Sequence, residues 1–191
     1  LEANGVVALD DEKKTLQAVK QMIGNGFQTI KMKIGEDFER EFTVLQKIRK
    51  SYPALTMRLD ANKAWSLDKA VNNLSKLDKL DVEYCEEPLL EASIENMKKL
   101  KDSVSTPVAL DESLLAAKSP AAIFPHVPVV VIKPMVFGSL SKLFATNRLA
   151  NTHGNKVIYT TSLESGIGRS MTVTLAAGLG SRHTAHGLST G

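Results

Sequence analysis

Five apolar runs in this chain each stop on charged residues. They end at Lys31-Met32-Lys33, Asp60-Ala61-Asn62, Glu86-Glu87-Pro88, Asp111-Glu112-Ser113 and Lys133. Between them lie segments with helical periodicity, and this alternation constrains the fold more than any other feature. Apolar patterning predicts strands over 5–8, 27–34, 55–60, 82–85, 107–110, 129–132 and 156–160, with a doubtful eighth over 184–188. It predicts helices over 10–25, 37–51, 66–77, 93–100, 138–151 and 168–179, and a short helical or irregular piece over 116–124. Asp10 and Ser66 read as helix caps, and Gly24-Asn25-Gly26 as a stop signal. The β-branched run Val129–Ile132 is the pattern of a strand buried on both faces. Repeated βα units require a parallel sheet. Units of about 25–30 residues without a reversal point favour a (β/α)8 TIM-type barrel over a doubly wound sheet. Such a barrel presents its functional groups at the C-terminal ends of its strands, where these charged residues stand.

A complete barrel takes roughly 250 residues and rarely fewer than 200. With 191 residues beginning at Leu1, the expectation is one domain over 1–191, an incomplete barrel cut from a longer protein. The net charge of +3, without a basic block, gives no footprint for nucleic acid. No run approaches the length of a membrane span, and the N-terminal residues show no signal-peptide pattern. The single Cys85 precludes an internal disulfide and fits a reducing, cytoplasmic setting. Gly166-Ile167-Gly168 is too short for a dinucleotide fingerprint.

The charged strand ends suggest a chemistry. Side chains alternate across a strand, so Lys31 and Lys33 share a face, as do Asp60 and Asn62 if the strand runs that far. Two neighbouring ammonium groups repel, which lowers the pKa of one or both and lets a lysine act as a base. Asp60, Glu86 and Asp111 supply hard oxygen ligands from successive strands, a set suited to Mg²⁺, with Mn²⁺ the alternative, and not to zinc. Taken singly, each acid could equally be a helix cap. Lys133, after four β-branched residues, either faces that site or snorkels outward. A metal with opposed lysines can remove a proton α to a carboxylate, the metal stabilising the enediolate. His126, His153, His183 and His186 share no ligand spacing with the acids and read as structural, as does Trp65.

These motifs, in this order, resemble the muconate-lactonizing subgroup of the enolase superfamily. Thr161-Ser162-Leu163-Glu164-Ser165-Gly166-Ile167-Gly168-Arg169 and Ala185-His186-Gly187-Leu188 are most similar to its o-succinylbenzoate synthases. The resemblance implies that Lys33 abstracts the α-proton and then assists loss of hydroxide, with Lys31 tuning it. Asp60, Glu86 and Asp111 would bind Mg²⁺, supported by Asn62, Glu87 and Glu112. Lys133 would stabilise the enediolate from the opposite face. Ser162, Ser165 and Gly166 would contact a carboxylate of a small-molecule substrate. The implied reaction is dehydration of a succinyl-hydroxycyclohexadiene-carboxylate to o-succinylbenzoate, a step of menaquinone or phylloquinone synthesis. Members of the subgroup also carry an N-terminal α+β capping domain, which this sequence does not contain. Glu164 either touches substrate or only pins its loop. The same stations would serve an N-acylamino-acid racemase or dipeptide epimerase, with Lys33 and Lys133 as two bases. A Schiff-base aldolase uses a strand lysine but needs no cage of acids, and a non-catalytic barrel piece would bind no Mg²⁺.

Overall fold

The structure, a computed structural model, describes residues 1–117 and 119–189. Its elements run β1 (Glu2–Ala3), β2 (Gly5–Val7), α1 (Glu12–Gly24), β3 (Thr29–Lys33), α2 (Phe38–Ser51), β4 (Thr56–Asp60), α3 (Leu67–Leu77), β5 (Val82–Glu86) and α4 (Ile94–Ser103). They continue through β6 (Val108–Leu110), α5 (Glu112–Ala116), α6 (Pro120–Ile123), β7 (Val129–Ile132), α7 (Leu140–Thr152), β8 (Lys156–Tyr159), α8 (Gly166–Leu179) and β9 (Ala185–His186). The chain divides into two compact units, Gly5–Val108 and Leu1–Asn4 with Ala109–Gly191.

In the unit Gly5–Val108, β2, β3, β4 and β5 lie side by side and all pair in parallel. One register row joins Met32, Leu59 and Cys85, all fully buried. The rows on either side carry the polar residues: Lys31, Arg58 and Tyr84 below, then Lys33, Asp60 and Glu86 at the strand ends. The helices close over this sheet with fully buried Leu45, Ile48, Leu74 and Leu77. Asp11, not Asp10, caps α1, its carboxylate accepting from the Lys14 amide. The Asp10 amide instead donates to the Thr15 hydroxyl. Asp37 caps α2 in the same way through Arg40.

In the unit containing Ala109–Gly191, β6 pairs with β7 and β7 with β8, again in parallel. The doubtful last strand is real but short, and β9 pairs with β1, a two-residue strand with no periodicity to announce it. The segment expected over 116–124 holds the short helix α6, while α5 lies before it and ends at Ala116, with Lys118 outside the described residues. The helix expected from 168 starts two residues earlier, at Gly166, with Ser165 in the capping position. Among the described residues no helix is long and apolar enough to cross a membrane.

Candidate active site

The strand-end acids and lysines are held by the parallel register. In the unit Gly5–Val108, Asp60 and Glu86 close their strands one row beyond the apolar row, so both carboxylates emerge on the face shared with Lys31. The Lys31 ammonium lies 2.9 Å from Asp60 Oδ2 and 2.7 Å from Glu86 Oε1. Burial favours the neutral amine, but the charges of Glu86 and Asp60 outweigh it, and the Lys31 pKa rises. Repulsion between Lys31 and Lys33, expected to lower the pKa of one or both, does not lower that of Lys31. Asp60 and Glu86 stand nearer to Lys31 than the repulsion argument allowed, and Lys33 extends into solvent, sharing its register row with Asp60 and Glu86.

Asn62 does not continue β4. The strand stops at Asp60, and Asn62 and Lys63 take left-handed backbone conformations with φ of 43° and 62°. The Asn62 amide turns back to donate to Asp60 Oδ1 at 3.1 Å, so Asn62 holds the carboxylate through its backbone. Glu87 is fully buried, also left-handed at φ 45°. Its carbonyl accepts from the Lys63 amide at 2.7 Å, which ties the β4 and β5 loops together.

Two residues beneath this site lacked a sequence motif. Arg58 is completely buried, with Nε donating to Glu83 Oε2 at 2.6 Å and its guanidinium 4.9 Å from the centre of the Tyr84 ring. A shift of register places Met57 opposite Val82 but Arg58 opposite Tyr84, so Glu83 is the extra residue of a β-bulge. That bulge lets Glu83 reach Arg58. The signal in the sequence was strand alternation: Arg58 sits two residues before Asp60 and therefore on the same face. Cys85 points the other way, and its thiol is pushed up first by burial and then by Asp60 and Glu86, as suits an inert apolar filler.

In the other unit, Asp111 occupies the capping position of α5, yet its side chain makes no cap hydrogen bond. Its carboxylate instead meets the Lys133 ammonium, which also lies 3.1 Å from Glu112 Oε1. Partial burial opposes the charge on Lys133, but the hydrogen bond and charge of Asp111, with those of Glu112, raise its pKa overall. Lys133 thus turns to acids of its own unit and does not snorkel away from them. His186 is buried and structural: its Nδ1 accepts the Tyr159 amide at 3.1 Å.

The loop after β8 carries Ser162, Ser165 and Gly166. The Ser162 hydroxyl donates to Glu164 Oε2 at 3.2 Å, and its amide donates to the same oxygen. Ser165 is exposed and makes no side-chain cap bond to α8.

Among the described residues no three His, Cys, Asp or Glu side chains group closely enough to hold a metal unaided. The donor chemistry nevertheless fits a hard cation. Asp60 and Glu86 are buried and each already directs an oxygen at one positive charge, the Lys31 ammonium.

Comparison with known proteins bears on this constellation. The family model described as Enolase C-terminal domain-like matches residues 14–189. The chain is 34% identical over 164 residues to an N-succinylamino acid racemase of Thermus thermophilus, covering 85% of this chain and 44% of that protein. It is 31% identical over 180 residues to an o-succinylbenzoate synthase of Thermobifida fusca, covering 91% of this chain and 55% of that protein. The crystal structure of MenC from Desulfotalea psychrophila superposes with a TM-score of 0.89 at 26% identity, over 100% of this chain and 55% of that one. The chain thus spans about half the length of the relatives it matches.

Proposed function

Because this chain belongs to the Enolase C-terminal domain-like family, we propose that the protein carrying it is a Mg²⁺-dependent enzyme that removes a proton α to a carboxylate, and that it dehydrates a succinyl-hydroxycyclohexadiene-carboxylate to o-succinylbenzoate. The observation that carries the reading is the strand-end row of Lys33, Asp60 and Glu86, with the Lys31 ammonium bonded to both carboxylates. The 31% identity to the Thermobifida fusca o-succinylbenzoate synthase supports the choice of reaction.

The proposal assigns Asp60, Glu86 and Asp111 to the metal, with Asn62, Glu87 and Glu112 as their supports. Bound there, Mg²⁺ would supply Lewis-acid stabilisation of negative charge developing on the substrate carboxylate. Lys33 takes the α-proton on Nζ and hands it to the departing hydroxide, so that one water leaves and the ring becomes aromatic. Lys31, held cationic between Asp60 and Glu86, keeps positive charge on the strand face that it shares with Lys33. Lys133 adds positive charge toward the same developing anion. Ser165 and Gly166 receive a carboxylate of the substrate. Ser162 belongs to the same loop, though its hydroxyl proton is directed at Glu164.

The 34% identity to an N-succinylamino acid racemase favours a second reading, in which Lys33 and Lys133 act as two bases on one stereocentre. Assay of the full-length natural protein with Mg²⁺ decides between them. The expected outcome is formation of o-succinylbenzoate, abolished in Lys33→Ala. Deuterium incorporation at the stereocentre of an N-succinylamino acid, without any dehydration of the cyclohexadiene, would replace the lyase reading with the racemase.

A further inference from the structure

Glu164 has no role in the chemistry above, yet three separate features of its unit are arranged around its carboxylate. Its Oε2 accepts both the amide and the hydroxyl of Ser162. Its Oε1 accepts the Thr172 hydroxyl at 2.8 Å, and Thr172 is completely buried within α8. The third feature is Gly168, in the first turn of α8. A Cβ at that position would lie 2.7 Å from Glu164 Cγ and 2.9 Å from its Cβ, so only glycine leaves room for the Glu164 stem. Between Ser162 and Glu164 the chain passes through Leu163 at φ 62°, a conformation that a leucine adopts at a cost. The loop therefore does not rest in its intrinsic preference. The Glu164 side chain ties it to α8 through Thr172.

We infer that Glu164 is a positioning residue: by fastening Ser162 to the helix it withdraws that serine from substrate and leaves Ser165 and Gly166 to bind the substrate carboxylate. A carboxylate only accepts hydrogen bonds, so the single proton of the Ser162 hydroxyl is spent on Glu164. Ser165, three residues on and exposed, has no such bond to α8. The negative charge of Glu164 is meanwhile turned onto donors, which lessens its repulsion of an anionic substrate. Burial of Glu164 opposes its charged form, but the hydrogen bonds from Ser162 and Thr172 hold its pKa below the usual range. The inference rests on the proposed function, because it concerns how that substrate is held.

The test compares wild type with Glu164→Ala, Glu164→Gln and Thr172→Val in the full-length protein, by steady-state kinetics on the cyclohexadiene substrate and by amide hydrogen exchange over 161–165. Glu164→Ala should raise KM about tenfold while kcat stays within about threefold, the size expected for loss of charge-assisted bonds that orient a binding loop. The Ser162 amide should exchange faster in the same variant. Glu164→Gln, which keeps the shape and one acceptor oxygen, should recover most of the KM, and Thr172→Val should shift KM in the same direction by less. Faster exchange with an unchanged KM would reduce Glu164 to a structural staple and overturn the inference alone. A fall in kcat at constant KM would place Glu164 at the reacting atoms and overturn it too. Wild-type protein without turnover would remove the proposed function and this inference together.

Discussion

The titration behaviour of Lys31 is decided by distances of less than 3 Å. Repulsion from Lys33 is a sound argument for lowering a lysine pKa, but two carboxylates in direct contact with Lys31 reverse the sign. Since the folded pKa is raised, the stabilisation from Lys31 is fully present below the ordinary lysine range and is lost only as pH climbs through the raised value. Denaturant titrations should therefore find the stability difference between wild type and Lys31→Met unchanged from neutral to mildly alkaline pH. Arg58 offers a second residue-scale test. Removing its carboxylate partner from a fully buried guanidinium is expensive, and Glu83→Ala should destabilise the protein by about 3 kcal/mol in chemical denaturation. A loss below about 0.5 kcal/mol would show that the Arg58 charge is satisfied without Glu83.

Elements are joined to their loops by carboxylates that gather backbone amides. Glu41, on α2, accepts from the amides of Gly35 at 2.8 Å, Glu36 at 3.1 Å and Asp37 at 3.3 Å, and so shapes the turn directly after Lys33. Gly35 makes that turn at φ 122°, and a Cβ there would come within 2.6 Å of the Ala64 Cβ. Glu41→Ala should cost about 2 kcal/mol, since it leaves three amides without this acceptor, and thermal unfolding with a circular-dichroism readout measures it. At the opposite end of the same unit Arg49 donates to the carbonyls of Pro53, Leu55, Leu80 and Asp81, joining α2 to the turns that precede β4 and β5. Helix periodicity placed α2 and α3 to within a residue of where they lie, because buried apolar stripes are long enough to average out local exceptions. The carboxylate ties are single residues meeting backbone groups and have no period to detect.

For the molecule as a whole, the proposed metal has a consequence that does not depend on turnover. A ligand that binds only the folded protein stabilises it by mass action, by about 2.7 kcal/mol at 100 times its Kd. Mg²⁺ should therefore raise the unfolding midpoint of the wild-type protein in proportion to the logarithm of its concentration. Asp60→Asn should abolish the increase. An identical rise in Asp60→Asn would remove Asp60 from the metal site, whatever the protein catalyses.

Sequence alone determined the parallel βα architecture, the ends of most strands and helices, and the acids and lysines that close the strands. These follow from local periodicity and from one-dimensional order, in which each residue type is set against its near neighbours. Tertiary structure alone decided which charges meet. It closed Lys31 on Asp60 and Glu86, turned Asp111 from a cap position to Lys133, put Asn62 in a turn, and bulged β5 so that Glu83 reaches Arg58. It also set the Glu164 carboxylate against its own loop and helix. Coulomb and hydrogen-bond energies change over fractions of an ångström between residues far apart in the chain, and only strand register and loop closure fix those separations.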